Sequence, residues 1–291
     1  VSVMYSAIMS YFEKNDSPLF FKFDPKKKFA SGNEIESPTF GLEDYMKLLT
    51  VGRPSLTEKA LFLCKFHRGL DASTPVDRFN FQAWKQLADY FGTEQYMRWD
   101  LVKCPVPITL TRIKTNFRHV GFLDYDAVKA IQDYLEYRYS KTGKVMSEDQ
   151  PLFINKFNKP VNTAWVSTKF FKLAQRAGLQ KIIDSESNEY AFGSHELRDL
   201  LKSTLIFCGV RIDVADHCIG HMPKDSYEKQ TVLFPENLRD EFCKASSKIN
   251  IFSNLSINMR KSVNVQALQN EIYSLHGEVK RLIQKDMIRD R

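Results

Sequence analysis

Four side chains that suit phosphate chemistry follow one another within 33 residues: His195, Arg198, His221 and Tyr227. A guanidinium donates to two phosphate oxygens at once, and an imidazole donates a hydrogen bond or moves a proton. A phenol, with an ordinary pKa of about 10, becomes a nucleophile when cations stabilise the phenolate and a base takes its proton. Brought to one point, these groups indicate attack by Tyr227 on a phosphodiester in a nucleic-acid backbone.

The spacing of these residues predicts how they are positioned. His195 and Arg198 are three residues apart on a predicted helix, so their side chains leave the same face one turn apart. Gly220 permits a tight turn that directs His221 inward. Two other interpretations stay open: the H-x-x-R pair lies on the surface without a role, or His217 and His221 bind a metal one helical turn apart. Against the second, the sequence places no third carboxylate or thiolate to complete a zinc site.

Tyr227 and Lys114 lie in segments that favour exposure. Tyr227 stands between Lys224 and Lys229 in the polar sequence K-D-S-Y-E-K, where a core aromatic residue would be out of place. Lys114 is at the tip of a predicted β-hairpin, from which it can reach the minor groove and protonate a leaving 5′ oxygen. Such a scheme requires no metal and no cofactor.

Hydrophobic periodicity predicts a mainly helical α+β fold with one small antiparallel sheet. Alternation around T-N over residues 106–123 predicts the hairpin. A further helix begins at Pro75, with Ser73 or Thr74 as its cap, which places Arg78 in its first turn. Apolar residues at helical spacing predict the other helices over residues 1–14, 41–50, 57–67, 126–140, 162–177, 195–208 and 212–219.

Two segments outside these elements allow two interpretations each. Residues 22–38 are basic and broken by Pro and Gly, which is typical of a linker; they form a solvated loop or a basic strap on a DNA backbone. Near the C-terminus, a short heptad seam packs on its own domain or pairs with a neighbouring subunit. The seam consists of Val265, Leu268, Ile272, Leu275, Val279 and Leu282.

Composition and charge limit the classes of protein to consider. The chain has 291 residues, of which 43% are hydrophobic and 26% charged, as in a globular protein. A net charge of +7 favours a polyanionic partner. Five scattered cysteines without a C-x-x-C pair indicate neither a disulfide framework nor a zinc cluster. No apolar run approaches the roughly 18 residues of a membrane span, so we expect a cytoplasmic, nucleoid-associated protein.

The order of these motifs resembles that of a known enzyme family. H195-E-L-R198, then G220-H221, then Tyr227, with a hairpin Lys and an upstream Arg, is similar to the catalytic domain of the tyrosine recombinases, or phage-type integrases, most closely the archaeal integrases. The resemblance covers roughly residues 38–250. It implies the mainly helical catalytic fold of that family, a covalent 3′-phosphotyrosyl intermediate and a free 5′ hydroxyl as the next nucleophile. It also implies double-stranded DNA as partner, a monomer when free and a homotetramer on synapsed DNA.

The resemblance assigns a role to each matching residue. Tyr227 corresponds to the nucleophile and Arg198 to a phosphate clamp. His195 and His221 correspond to groups that transfer protons and contact the phosphate. Lys114 corresponds to the general acid.

The first arginine of the family pattern departs from its usual place. Where the family carries G-L-R, this chain reads Gly69, Leu70, Asp71. Arg78 is the preferred candidate, because D-R-F-N after S-T resembles the archaeal branch and its distance to the hairpin Lys is the more typical one. Arg68 is the runner-up.

The resemblance also suggests a domain organisation. Residues 1–37 correspond to the remnant of an N-terminal core-binding helical domain with its linker, and residues 38–252 to the catalytic domain. Residues 253–291 form a C-terminal helix with the heptad seam. The first residue is Val, so we expect a fragment or a processed chain. Further contacts to the DNA backbone are expected from Lys202, Arg112 and Lys224.

These observations favour a site-specific DNA recombinase or integrase over two alternatives. A type IB topoisomerase shares the chemistry but does not exchange strands within a tetramer. A DNA-binding regulator of the same fold has lost cleavage altogether. The presence of every expected residue type argues against this last alternative.

Overall fold

A computed structural model of the chain describes residues 2–17, 39–180, 182–184, 189–190, 192–222 and 235–254. Its contacts divide the chain into two units, residues 1–39 and residues 40–291. The first unit contains helix α1 (Ser2–Lys14), as predicted for residues 1–14. The second unit contains the hydrophobic core and all the site residues that the structure describes.

The second unit begins with two helices that the periodicity predicted. Helix α2 spans Leu42–Thr50 and helix α3 spans Leu56–Arg68. A capping box fixes the start of α3, since Ser55 and Glu58 exchange side-chain and backbone hydrogen bonds. Gly69 ends α3 in the left-handed conformation at φ +58°, which glycine adopts without strain. Helix α3 packs against two later helices, so its last residues lie at the centre of the unit.

The next helix begins at Pro75, with Thr74, one of the two predicted caps, at its N-cap position. One π-helical turn, Pro75–Phe79, leads into α4 (Asn80–Phe91). The Thr74 side chain makes no capping hydrogen bond. Oδ1 of Asp71 accepts from the backbone N–H groups of Ser73 and Thr74 at 3.1 and 2.8 Å, which fixes the turn that leads into the helix.

The predicted hairpin over residues 106–123 is confirmed. Strands β1 (Val106–Thr111) and β2 (Arg118–Leu123) pair antiparallel, with Val106 opposite Leu123 and Thr111 opposite Arg118. The backbone N–H of Arg112 donates to the carbonyl of Phe117 at 2.9 Å and closes the tip. A second pair of short strands, β3 (Ile182–Asp184) and β4 (Glu189–Tyr190), forms another antiparallel sheet.

Six more α-helices and two short 3₁₀ helices, Tyr96–Arg98 and Leu101–Lys103, complete the part of the chain that the structure describes, and four of the α-helices were predicted. Asp124 and Asn162 cap the first two of these α-helices through side-chain hydrogen bonds. The mainly helical α+β fold with a small antiparallel sheet is therefore confirmed. The helices are α5 (Tyr125–Thr142), α6 (Thr163–Arg176), α7 (Glu196–Phe207), α8 (Ile212–Ile219), α9 (Pro235–Cys243) and α10 (Ser246–Ile249).

Several predictions fall on other parts of the chain. The described residues do not include Tyr227, Lys224, the 22–38 segment or the heptad seam. Within the described ranges, no helix has the length and apolar character needed to cross a bilayer.

Candidate active site

Arg68, the last residue of α3, is a structural cross-link. Its Nε, Nη1 and Nη2 donate to the carbonyls of Ile108, Cys218 and His119 at 3.2, 2.5 and 3.2 Å. These carbonyls belong to β1, α8 and β2, so one guanidinium joins three elements. The side chain is 0% exposed, and burial lowers its pKa to about 9. All three nitrogens are bonded to the protein's own backbone, so the structure gives Arg68 no surface on which to meet a phosphate.

Two glycines make room for this cross-link. A Cβ on Gly121 would lie 2.7 Å from both Cζ of Arg68 and the carbonyl oxygen of Cys218. Gly220 ends α8 at φ +78°, and a Cβ there would lie 2.6 Å from the ring of His119. The hairpin and the end of α8 can therefore approach closely only because both positions lack a side chain. This approach carries His221 to its place beside the hairpin.

Arg198 lies in the first turn of α7 and is anchored to the end of α3. Its Nη1 donates to the carbonyl of Gly69 at 2.7 Å, and the residue is 3% exposed. Its buried Nη2 has no hydrogen-bond partner among the described residues. Burial, and then the charge of Arg112, lower the pKa of Arg198 to about 10, while Asp71 acts in the opposite direction. Arg198 thus keeps donor capacity that the described part of the protein does not use.

Arg112, at the end of β1, lies in the same neighbourhood. Its Nε is 3.5 Å from Oδ2 of Asp71, and its Nη1 donates to the carbonyl of Gly220 at 3.4 Å. The side chains of Arg112 and Asp71 are 15% and 13% exposed. Burial acts to raise the pKa of Asp71, but hydrogen bonds from Thr74 and the charges of Arg198 and Arg112 hold it below its ordinary value. One carboxylate therefore faces two guanidinium groups.

A buried lysine holds the loop after α3 from beneath. Nζ of Lys65 donates to the carbonyls of Leu70 and Asp71 at 2.6 and 2.5 Å. Burial lowers the pKa of this lysine to about 7. Because Gly69 also accepts from Arg198, the backbone of residues 69–71 is fixed on both sides.

His221 follows α8 and is oriented by Asp216. Its Nδ1 lies 2.8 Å from Oδ1 of Asp216, which also lies 2.6 Å from Nζ of Lys202. In a neutral imidazole whose Nδ1–H donates to this carboxylate, Nε2 carries the lone pair that a general base requires. Burial lowers the pKa of His221, Asp216 raises it, and Arg198 lowers it. The influence of Arg198 indicates that His221 and Arg198 share one electrostatic environment.

Three of the other predicted residues stand apart from this pair. His195 directly precedes α7; its side chain is 56% exposed, with Nε2 4.0 Å from Oδ2 of Asp199. Lys114 is exposed in the hairpin turn, and Arg78 is exposed in the π-helical turn. Within the described ranges, no hydrogen bond or ion pair joins any of the three to Arg198 or His221.

The alternative in which His217 and His221 bind a metal is not supported by the geometry. The backbone N–H of Val120 donates to Nε2 of His217 at 3.2 Å, and Phe117 packs edge-on against its ring. Burial, and then the charge of Arg68, lower the pKa of His217 to about 4. In the part of the chain that the structure describes, no group of three or more His, Cys, Asp or Glu side chains could hold a metal. His217 is a packing residue under the hairpin.

Sequence reasoning missed the two carboxylates of the site. Asp216 lies five residues before His221, on a helix whose sequence shows only amphipathic periodicity. Asp71 stands out in the sequence only as a departure from G-L-R. Arg112 was assigned to the DNA backbone in general, without its contact to Asp71. With these included, the site contains two guanidinium groups and one imidazole held by a carboxylate, which together suit binding of a phosphate and transfer of a proton.

Part of the second unit matches a known protein family. Residues 96–229 match the phage integrase family. Among solved structures, the fold is similar to XerA recombinase, at 13% identity and a TM-score of 0.47 over 80% of this chain and 73% of that chain. It is also similar to the integrase from mycobacterium phage Brujita, at 16% identity and a TM-score of 0.46 over 86% and 69% of the two chains.

A third similar structure is a lambda integrase (75–356) dimer bound to a COC′ core site, at 15% identity and a TM-score of 0.46 over 78% of this chain and 71% of that chain. No curated protein sequence matches this chain.

Proposed function

We propose that this chain is a phage integrase family member that cleaves and rejoins DNA, and specifically a site-specific tyrosine recombinase. One observation carries the proposal. Arg198 and His221 lie within the matched residues 96–229, and Arg112 joins the loop that anchors Arg198 to the Gly220 carbonyl next to His221. The same span contains His195, Lys114 and Tyr227.

The proposed reaction is a transesterification. The Tyr227 oxygen attacks phosphorus, a bond to the 3′ phosphate forms, and the bond to the 5′ oxygen breaks. His221, oriented by Asp216, takes the phenol proton, and Lys114 gives a proton to the leaving oxygen. Arg198 neutralises the non-bridging oxygens, and His195 contacts the phosphate. A 5′ hydroxyl of the partner strand then attacks the same phosphorus and the bond to Tyr227 breaks; the hydroxyl gives its proton to Lys114, and His221 returns a proton to the Tyr227 oxygen.

The same chemistry suggests the assembly. Exchange of both strands between two duplexes breaks four phosphodiester bonds, and each protomer supplies one Tyr227. We therefore propose a homotetramer on two synapsed DNA duplexes and a monomer when free. The S-T and D-R-F-N sequences support the proposed closeness to archaeal integrases. The proposed domain boundaries are 1–37, 38–252 and 253–291. Action on genomic DNA would place the protein in the cytoplasm with the nucleoid.

One observation favours a second candidate function, a DNA-binding regulator that has lost cleavage. Asp71 stands where the family pattern carries its first arginine, and an acidic group there repels a phosphate. Sequence-specific DNA binding without cleavage is the expected behaviour of such a protein.

Covalent capture of DNA tests the proposed function. The chain is incubated with a library of random-sequence DNA duplexes, denatured with detergent, and separated from DNA that is not covalently attached. We expect protein-linked DNA from the unmodified chain and from Tyr137→Phe, which removes another exposed phenol. Tyr227→Phe should yield none. Equal capture by Tyr227→Phe, or sequence-specific binding without capture by the unmodified chain, would reject the proposal.

A further inference from the structure

The proposed reaction is favoured by a second cation at the phosphate. The pentavalent transition state carries more negative charge on its two non-bridging oxygens than the ground state, so a second guanidinium beside Arg198 stabilises it further. Arg198 supplies one guanidinium. Arg68 has all three guanidinium nitrogens bonded to backbone carbonyls, and Asp71 occupies the position where the family carries an arginine.

Arg112 is held by the same two loops that hold the other site residues. The loop of residues 69–71 positions Arg198 through the Gly69 carbonyl and Arg112 through Asp71. On the other side, Gly220 accepts from Arg112, and the next residue is His221. The guanidinium of Arg112 therefore lies between the two backbone segments that set the positions of Arg198 and His221.

The charges of this cluster favour an anion. Burial, and then the charge of Arg112, lower the pKa of Arg198, and Asp71 faces both guanidinium groups. The contacts of Arg112 to Asp71 and Gly220 are long, at 3.5 and 3.4 Å, so most of its five N–H donors remain available. Arg198 adds a buried Nη2 without a hydrogen-bond partner among the described residues. Buried donors of this kind are normally satisfied, and an oxyanion would satisfy them here.

We propose that Arg112 is the second phosphate-binding guanidinium of this site, relocated to the hairpin and oriented by Asp71. The inference rests on the proposed function for its substrate, a DNA phosphodiester. Arg112 is two residues before Lys114, so one hairpin tip delivers both the second clamp and the general acid. Asp71 then does not oppose phosphate binding, because its carboxylate pairs with Arg112, which takes the role of the family's usual arginine.

Orthovanadate, a tetrahedral oxyanion that resembles phosphate, tests Arg112 without any DNA. Its affinity for the unmodified chain, Arg112→Gln and Arg78→Gln is measured by vanadium NMR or calorimetry, with the unfolding midpoint as a check on folding. Loss of a charge-assisted hydrogen bond should weaken binding by roughly tenfold or more in Arg112→Gln. Arg112→Lys should lie between the two, and Arg78→Gln should match the unmodified chain. Unchanged affinity in Arg112→Gln, or no binding by the unmodified chain, would overturn the inference.

Covalent capture tests the same residue on DNA. With a duplex recovered from the library, Arg112→Gln should slow capture by about a hundredfold, as loss of one transition-state donor does elsewhere. A methylphosphonate at the scissile position removes one charged oxygen, so it should restore much of the loss in Arg112→Gln and none in Tyr227→Phe. If Arg78→Gln shows the loss and Arg112→Gln does not, the inference is wrong.

The role of Asp71 is tested through Arg112. Asp71→Asn should slow DNA capture when Arg112 is present and have little further effect in the Arg112→Gln variant. If the role of Asp71 were purely structural, Asp71→Asn would slow capture by the same factor with and without Arg112. Orthovanadate binding and DNA capture together distinguish the role of Arg112 from the proposed recombinase function. Arg112-dependent orthovanadate binding in a chain that never captures DNA would reject the recombinase function and keep Arg112 as an oxyanion ligand.

Discussion

Replacing Arg68 by methionine should destabilise the fold strongly. The change removes three hydrogen bonds from a buried guanidinium and leaves the carbonyls of Ile108, His119 and Cys218 without those donors. Each hydrogen bond from a charged group contributes about 1.5–3 kcal/mol. Removing the buried charge recovers part of the cost of its desolvation, so we expect a net loss of about 3–5 kcal/mol. That is a large part of the roughly 5–15 kcal/mol that stabilises a typical domain.

Urea denaturation followed by circular dichroism measures this effect. Arg78→Met is the matched control, because Arg78 is exposed and its replacement should change the free energy of unfolding by less than about 0.5 kcal/mol. A loss below about 1 kcal/mol in Arg68→Met would refute the role of Arg68 as a cross-link. It would also reopen Arg68 as a phosphate ligand.

The remaining predictions concern the histidines. Burial lowers the pKa of His217 to about 4 and of His119 to about 2. As the pH falls below about 6.5, the ordinary pKa of histidine, the unfolded chain therefore binds protons at these two residues before the folded chain does. The free energy of unfolding should therefore be highest above about pH 6.5 and fall by about 2–4 kcal/mol by about pH 4.5, and His217→Gln should flatten this slope in urea titrations at each pH. Asp216→Asn should lower the pKa of His221 further in an NMR titration and slow DNA capture by about tenfold to a hundredfold. Asp213→Asn, on the same helix, should leave both unchanged; a raised pKa of His221 in Asp216→Asn would contradict the orientation proposed for its ring.

Local patterns predicted the elements because their causes are local. The helix ending at Arg68 and the hairpin over residues 106–123 follow from hydrophobic period, and Lys114 lies at the hairpin tip as expected. The next helix begins at Pro75 with Thr74 at its N-cap position, as the pattern predicts. The hydrogen bonds from the backbone N–H groups of Ser73 and Thr74 to Asp71 are not part of that pattern.

The chemistry of the site depends on contacts that no local pattern contains. Arg112 and Asp71 are 41 residues apart in sequence, and Arg68 contacts a carbonyl 150 residues away. The packing of the hairpin against α3 and α8 brings these groups together. Residue types and spacing therefore predicted a phosphate site that includes Arg198 and His221. Only the three-dimensional contacts show that the guanidinium of Arg68 is bonded to the backbone and that Arg112 keeps donors for a phosphate.

The attachment point of captured DNA tests the central claim most directly. The covalent complex is digested with protease and nuclease, and the peptide that retains a nucleotide is sequenced by mass spectrometry. The proposed function predicts a single modified peptide in which Tyr227 carries a 3′-linked nucleotide phosphate. A nucleotide on any other residue, or a 5′ linkage, would contradict it.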